Sequence, residues 1–486
     1  MEETQPPGRR GRSRLVVPSR SDMLLRNFTE VIGGPLGRRS DPGVISPGIF
    51  TVERVLILLT LAAALVGVLL KGYCRAHGWE SPTQFYATCY SDFPELFSHR
   101  GLAEGGFPIL TNQFEYPVLI GLIAGLTAWL VPGTGVTDGR VLAYFDINAA
   151  LLAGAAMIAV LATARMSARR PWDAAMVALA PGIILAGSVN WDLWTVCLLA
   201  VAMYFFAQQR LVPAGILIGL ATATNLYPLL LLAAILLLAL RTGRLRALLV
   251  TGGAAAGSWI AVNLPLAATN FDGWAHYFRY TADRDAGYSS PWFAYNLVAG
   301  RLRWPELSPA AVDLLSPALL VVACAAIAVI VLSAPRRPRL AQVAFLLVGA
   351  LILTNKAYSP QFVVWLIPLL ALARPRWRDF LVWQGIEGLH WAAVWMYLGQ
   401  VTSAGSSQHN LDMPYYVLAV AAHMFAVAYL MARVTWDIYD PNYDPIRRHH
   451  TDDPHGGPFA GAPDRIRLSL RRPADSLLPW KEPSNA

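Results

Sequence analysis

Long apolar runs, separated by short polar or Arg-containing segments, dominate the chain between residues 54 and 432. They lie at 54–70, 116–131, 141–163, 174–189, 191–207, 211–224, 226–240, 247–266, 311–333, 341–354, 360–373, 380–398 and 414–432. A helix that crosses a bilayer needs about 17 to 25 largely apolar residues. The pattern therefore predicts an all-α polytopic membrane protein, a bundle with about 12 spanning helices.

The two ends of the chain differ from the middle. Residues 1–52 and 433–486 are rich in Arg, Pro and Gly, and we expect both to be disordered basic tails on the cytoplasmic side, around a transmembrane domain at 53–432. Two ends on one side require an even number of crossings. One run, with 116–131 as a candidate, should then be re-entrant or lie at the interface.

Short connections with Arg alternate with nearly uncharged ones, as the positive-inside bias predicts. This alternation places loops 72–114 and 267–310 outside the cytoplasmic membrane. It also places Asn190, Asn225 and Asn355, where apolar runs are broken, at or near the outer face. Broken backbone at membrane depth is tolerated where protein or a wet cavity satisfies it, so we expect a cavity that opens outward.

Composition narrows the class of protein. Of the 486 residues 55% are hydrophobic and 14% are charged, against roughly 25% charged in an average soluble domain, which excludes a water-soluble enzyme. The net charge of +8 lies largely in tails and short loops, so it orients the chain and indicates no nucleic-acid partner. No phosphate-cradling glycine loop or dinucleotide fingerprint is present.

Two of the four cysteines, Cys74 and Cys89, lie close together in the first outer loop, whereas Cys197 and Cys324 lie inside apolar runs. An outward-facing loop is exposed to oxidising conditions, so the first pair is a disulfide candidate. The alternative is two free thiols.

The first outer loop also contains the acidic motif Ser91, Asp92, Phe93, Pro94, Glu95. A carboxylate just above the bilayer and among aromatic rings suits a general base that deprotonates a hydroxyl. The alternative is that Asp92 caps a short helix and has no chemical role. The residues alone leave both possibilities open.

An ordered set of short motifs follows this loop: FEYPVL, SVNWDLW, ATNLYPLLLL and NKAYSPQFVVWLIPL. With the acidic loop after the first helix, this order resembles glycosyltransferase family 87, of the GT-C superfamily, over residues 54–432. The resemblance implies a GT-C-type helical bundle that moves a sugar from a polyprenyl-phosphate donor to a lipid or glycan acceptor outside the cytoplasmic membrane. Mannose is the first expectation for the sugar, and arabinofuranose is the alternative.

The resemblance makes Asp92 the catalytic base of an inverting transfer, with Glu95 as the rival. Since polyprenyl phosphate is a good leaving group, one carboxylate suffices. No cofactor is expected and no metal site is readable, although scattered loop carboxylates leave room for a weakly held divalent ion.

Other candidates would contact donor or acceptor. Lys356 at an outward helix break suits the donor phosphate or, alternatively, lipid headgroups, and Arg279 and Arg284 are a second basic option. The further candidates are Tyr358 and Gln361 after Lys356, Asn190 and Asp192 as cavity rim or helix cap, Glu115 and Tyr116 in the Tyr-Pro element, Tyr227, and His390 on one helix face with Gln384 and Glu387. The NLYP element departs from the family pattern, because Asn225 stands where a lysine is expected.

Two other classes remain open. A secondary transporter or lipid flippase would also have many helices and intramembrane polar residues, but it favours a midplane site and inverted repeats. A non-catalytic scaffold would leave Asp92 facing solvent without a pocket.

Overall fold

The computed structural model describes residues 22–33, 51–110, 114–167, 170–403, 411–447 and 452–468. The described residues form α-helices and short 3-10 turns, without strands. The α-helices are α1 Met23–Gly33, α2 Val52–Leu70, α3 Gly72–His77, α4 Thr83–Tyr86, α5 Asp92–His99, α6 Val118–Trp129, α7 Asp138–Met166, α8 Ala175–Ala178, α9 Pro181–Ala186, α10 Asp192–Ala207, α11 Leu211–Thr224, α12 Leu229–Thr242, α13 Leu245–Thr269, α14 Phe271–Asp283, α15 Pro291–Leu302, α16 Pro309–Ser333, α17 Leu340–Thr354, α18 Val363–Ala373, α19 Trp377–Thr402 and α20 Met413–Tyr439.

The predicted all-α architecture is confirmed for these residues. Five helices, α2, α7, α13, α16 and α20, are long and apolar enough to cross a membrane. Several others, including α6, α10, α11, α12 and α17, are apolar but shorter. The apolar run at 174–189 is more interrupted than the run at 116–131. The first forms only the short helices α8 and α9, whereas the second contains one continuous helix, α6.

The two long loops lie at one end of the bundle and contact each other. The first contains α3, α4 and α5, the second contains α14 and α15, and the Asn270 side chain donates a hydrogen bond to the Leu110 carbonyl. Both loops also contact helix ends: Tyr86 bonds Gly399 at the end of α19, and the Gly287 amide bonds Lys356 after α17. The predicted break at the end of α17 therefore lies beside these loops.

Cys74 and Cys89 form a disulfide, which confirms the predicted pair. The bond joins α3 to the segment that precedes α5. The Trp79 indole strengthens this connection by donating to the Cys89 carbonyl at 3.0 Å. The first long loop is thereby cross-linked immediately before Tyr90 and Asp92, so that the backbone around these residues is restrained.

The opposite end of the bundle corrects the predicted tails. Helix α20 continues to Tyr439, and residues 441–447 and 452–468 pack on the bundle, so the tail predicted at 433–486 is ordered over these residues. Arginines that the sequence places in short loops are buried there against carboxylates of this segment: Arg339 with Asp444, Arg374 with Asp437, and Arg241 with Asp464. Paired charges tolerate burial that isolated ones do not.

The amino-terminal prediction is also wrong in part. Within the tail predicted at 1–52, Met23–Gly33 forms α1, and the Asp22 carboxylate accepts a hydrogen bond from the Trp377 amide at the start of α19. Residues 1–21 and 34–50, and residues 469–486 of the other tail, lie outside the described residues.

Candidate functional site

Asp92 is the first residue of α5, and Ser91 is its N-cap. The Ser91 hydroxyl accepts from the Phe93 amide and donates to the Ser188 carbonyl at 3.0 Å, while the Asp92 amide donates to the Val189 carbonyl at 2.8 Å. The cap is therefore Ser91, and the interpretation of Asp92 as a helix cap is wrong. The Asp92 carboxylate faces Tyr116 and Tyr90 instead.

That carboxylate accepts a hydrogen bond at Oδ2 from the Tyr116 hydroxyl, and the Tyr90 hydroxyl is a further partner. Asp92 remains partly exposed to solvent. Burial nevertheless raises its pKa above the ordinary value, although the hydrogen bonds from Tyr116 and Tyr90 oppose this shift. Burial and the adjacent Asp92 charge also raise the pKa of Tyr116, so this hydroxyl stays protonated and acts as a donor.

Lys71 is a cation beside this carboxylate that the sequence analysis did not identify. It follows α2 directly, is almost fully buried, and donates from Nζ to the Tyr90 carbonyl at 3.0 Å. The ammonium lies 5.1 Å from the ring centre of Trp391. Burial lowers the pKa of Lys71 to about 7, and the charge of Asp92 opposes this shift.

A second carboxylate, Asp192, begins α10 and is buried. Its Oδ2 accepts from the Asn190 amide at 3.2 Å and its Oδ1 from the Asn225 amide at 3.3 Å. The structure thus brings three predicted or noted residues into one network. Asn225, which replaces the expected family lysine, supplies a neutral donor to Asp192.

Aromatic rings join the two carboxylate groups. Trp191 contacts Tyr116 edge to face at 5.3 Å and Phe93 at 4.7 Å between ring centres, and its indole donates to Asn148. Tyr227 lies within electrostatic range of the Asp192 carboxylate. The buried Tyr227 hydroxyl has no hydrogen-bond partner among the described residues.

The other loop carboxylates have different surroundings. Glu95, the rival base, is exposed one turn after Asp92 and lies 3.8 Å from the His99 ring nitrogen. Glu115 forms an ion pair with Arg100, in which Nε donates to Oε1 at 3.0 Å. Of Asp92, Glu95 and Glu115, it is Asp92 that accepts hydrogen bonds from tyrosine hydroxyls.

A small pocket, with room for about one water molecule, lies beside Tyr116, at Pro117 and Val118. Four aromatic residues contribute to its lining: Trp259, Trp274, Tyr277 and Phe278. The last three belong to α14 in the second long loop, whose aromatic content the sequence analysis did not single out. The aromatic lining suits apolar and sugar surfaces, but the pocket itself is too small to hold a sugar.

The two candidate arginines of the second loop, Arg279 and Arg284, differ in their partners. Arg279 is exposed and paired with Asp272 at 2.8 Å. Arg284 has no ion-pair partner among the described residues; its guanidinium lies 5.8 Å from the Tyr280 ring centre and is close enough to Tyr277 to affect its pKa. Arg284 thus lies beside the pocket lining without an ion-pair partner among the described residues.

The remaining candidates are not joined to Asp92 by a contact among the described residues. Lys356 is ion-paired with Asp313 and also donates to the Ala282 carbonyl at 2.6 Å. Gln361 is buried in the turn that precedes α18. Tyr358 stacks on His423, which also stacks on His390, in the interior between α19 and α20.

The comparison with known families covers more than half of the chain. The family model for glycosyltransferase family 87 matches residues 114–360, while no curated protein matches the chain significantly. The match includes Tyr116, Asp192 and the lining of the pocket, and it begins after Asp92. Together with the helical membrane architecture, this match shows that the chain belongs to glycosyltransferase family 87.

Proposed function

We propose that this glycosyltransferase moves a sugar, in the first place mannose, from a polyprenyl-phosphate donor to a hydroxyl of a lipid or glycan acceptor. The reaction takes place at the outer face of the cytoplasmic membrane, with both termini inside. The observation on which this proposal chiefly depends is the partly exposed Asp92 carboxylate, which the Tyr116 hydroxyl orients by its hydrogen bond.

Asp92 is the base. It takes the proton of the acceptor hydroxyl while that oxygen forms a bond to the anomeric carbon of the sugar. The bond between this carbon and the phosphate oxygen breaks, and polyprenyl phosphate leaves from the opposite face, so the anomeric configuration is inverted. Its raised pKa makes Asp92 a stronger base than an ordinary carboxylate, provided that it is ionised.

Arg284 is the proposed phosphate contact. A phosphate in a site of low polarity needs a cation and hydrogen-bond donors, and the guanidinium of Arg284 is not engaged in an ion pair with the described residues. Lys356 is less suitable, since Asp313 already neutralises it. Asn190, Asp192 and Tyr227 would contact sugar hydroxyls.

The same chemistry accommodates a polyprenyl-phosphate arabinofuranose donor, which is the second candidate. A transporter or flippase is less well supported, because the polar groups gathered around Asp92 lie at the loop-covered end of the bundle. A transporter is expected to place its site near the midplane.

The test is incubation of the purified protein with labelled polyprenyl-phosphate mannose and, separately, the arabinose donor. We expect transfer of labelled sugar to a lipid or glycan acceptor from one of the two donors. Asp92→Asn should lower its rate by about 10²–10⁴-fold, whereas Glu95→Gln, a matched change one helical turn away, should stay within about twofold of the wild-type rate. Full turnover by Asp92→Asn would exclude the base, and no product from either donor would favour transport.

A further inference from the structure

A buried cluster of potential metal ligands lies between α19 and α20, apart from the candidate active site. It consists of Glu387 and His390, three residues apart on α19, and His423 on α20. One ligand atom from each residue can be chosen so that all lie within 4.8 Å of one another. All three side chains are almost fully buried.

The hydrogen bonds of this cluster are incomplete. Glu387 Oε1 accepts from the Trp383 indole at 2.7 Å and lies 2.7 Å from His423 Nδ1. His390 has no hydrogen-bond partner at either ring nitrogen among the described residues, and the hydroxyl of Tyr358, stacked on His423, also has none. A buried polar group without a partner costs about 1–3 kcal/mol, so His390 needs an explanation.

The carboxylate of the cluster has only histidines as potential cationic partners among the described residues. Glu387 contributes a carboxylate near the middle of a helix of 26 residues, and no Lys or Arg among the described residues forms an ion pair with it. A charge at that depth is costly unless an opposite charge is present. A divalent cation would supply that charge; it would take the place of the proton between His423 Nδ1 and the Glu387 carboxylate, and it would bind a nitrogen of His390 that has no hydrogen-bond partner among the described residues.

The distances fit such an ion. Glu387 Oε1 and His423 Nδ1 are 2.7 Å apart, and Glu387 Oε2 and His390 Nδ1 are 4.0 Å apart. Around tetrahedral zinc, with bonds of about 2.0–2.1 Å, neighbouring ligand atoms lie about 3.3 Å apart. That value falls between the two observed distances, and because the three ligand atoms lie within 4.8 Å of one another, changes of up to about 1.5 Å in their separations would complete the set.

We propose that Glu387, His390 and His423 bind a divalent transition metal ion of the zinc type, which joins α19 to α20 inside the bundle. Two imidazoles and a carboxylate are ligands that zinc accepts, and the fourth position remains for water or the Tyr358 hydroxyl. The site is structural, since no contact among the described residues connects it to Asp92. A sequence search for paired ligands along one helix misses it because His423 comes from another helix.

The test uses full-length protein with an affinity tag that contains no histidine, purified in detergent without chelator. Elemental analysis should find about one zinc-type ion per chain. Glu387→Gln and His390→Ala should each lower this content at least about fivefold, and the matched exposed control His77→Ala should leave it unchanged. Addition of Co²⁺ to metal-stripped wild type should produce visible absorption bands of a nitrogen- and oxygen-coordinated ion.

The cobalt titration keeps the proposal testable if a variant does not fold. Wild-type protein that contains no metal and shows no cobalt bands would overturn the proposal. Folded Glu387→Gln or His390→Ala protein that retains the wild-type metal content would overturn it as well. In either case the cluster would be a hydrogen-bonded charge group only.

Discussion

The Tyr116 hydroxyl donates its hydrogen bond to Oδ2 of Asp92, across the 24 residues that separate them in the chain. Asp92 starts α5, and Tyr116 precedes α6, so the bond joins the two sides of the first long loop. Tyr116 fixes the direction of the carboxylate and also lowers its pKa, against the larger opposing effect of burial. Removal of this one hydroxyl should therefore affect both the rate and its dependence on pH.

For Tyr116→Phe we expect a transfer rate about tenfold lower at neutral pH, because a hydrogen bond to a charged group contributes about 1.5–3 kcal/mol. The acid limb of the pH–rate profile should move to higher pH. The sign follows from the lost donor: without it the charged form of Asp92 is less stable, its pKa rises, and more of it is protonated at a given pH.

The measurement is kcat/KM for glycosyl transfer as a function of pH, in wild type and Tyr116→Phe. Tyr73→Phe is the matched control, since Tyr73 is exposed on α3. A rate loss without movement of the acid limb would mean that Tyr116 positions substrate and does not act on Asp92.

Lys71 gives a prediction for stability. Burial lowers its pKa to about 7 from 10.5, so between these values the unfolded chain binds the proton that the folded chain has released. Stability should therefore rise with pH across this window. In Lys71→Met this titration is absent, and its melting temperature relative to wild type should fall as pH rises from about 7 to about 10.

Thermal unfolding in detergent at a series of pH values measures this difference. A constant difference between Lys71→Met and wild type over the window would show that Lys71 keeps an ordinary pKa. The transfer rate of the same variant is informative too, because the positive charge of Lys71 lowers the pKa of Asp92.

Much of the helical pattern was predictable, because each crossing must satisfy its own backbone hydrogen bonds with apolar side chains outward. The predicted run at 141–163 became α7, Asp138–Met166, and the run at 311–333 became α16, Pro309–Ser333. The ends of the helices and the segments that follow them were less predictable. Arg339 and Asp444, each taken alone, are charged residues that would be expected to face solvent. Both are buried because they pair with each other across 105 residues of the chain.

The site was predictable in part for a similar reason. Asp92 and Tyr116 were identified because they belong to short motifs, but their hydrogen bond depends on how α5 docks on residues 188–189. Lys71 gave no signal in the sequence, since a lysine after an apolar helix usually reaches the headgroups. Here it turns inward to the Tyr90 carbonyl.

Arg284 should act on the donor. Arg284→Gln removes the cation next to the pocket lining, so we expect KM for the polyprenyl-phosphate donor to rise about tenfold or more, with a smaller change in kcat. Arg279→Gln is the matched control on the same loop, because Asp272 already pairs with Arg279. If both variants raise KM equally, the loop acts through its overall positive charge, and Arg284 does not contact the phosphate.

The carboxy-terminal segment should stabilise the bundle through its buried carboxylates. Arg339 and Asp444 are both fully buried and form two hydrogen bonds, at 2.7 and 3.0 Å. Asp444→Asn leaves the guanidinium buried without its counter-charge, which typically costs about 3–5 kcal/mol. We expect a clearly lower melting temperature and faster proteolysis at the end of the bundle that carries the carboxy-terminal segment. The exposed pair of Arg165 and Glu53 is the control, since Glu53→Gln should cost less than about 1 kcal/mol.

The double variant Asp444→Asn, Arg339→Met should recover part of the lost stability, because it removes the unpaired charge. A double variant less stable than Asp444→Asn would mean that Arg339 stabilises the protein chiefly through its hydrogen bonds to the Leu372 and Ala373 carbonyls.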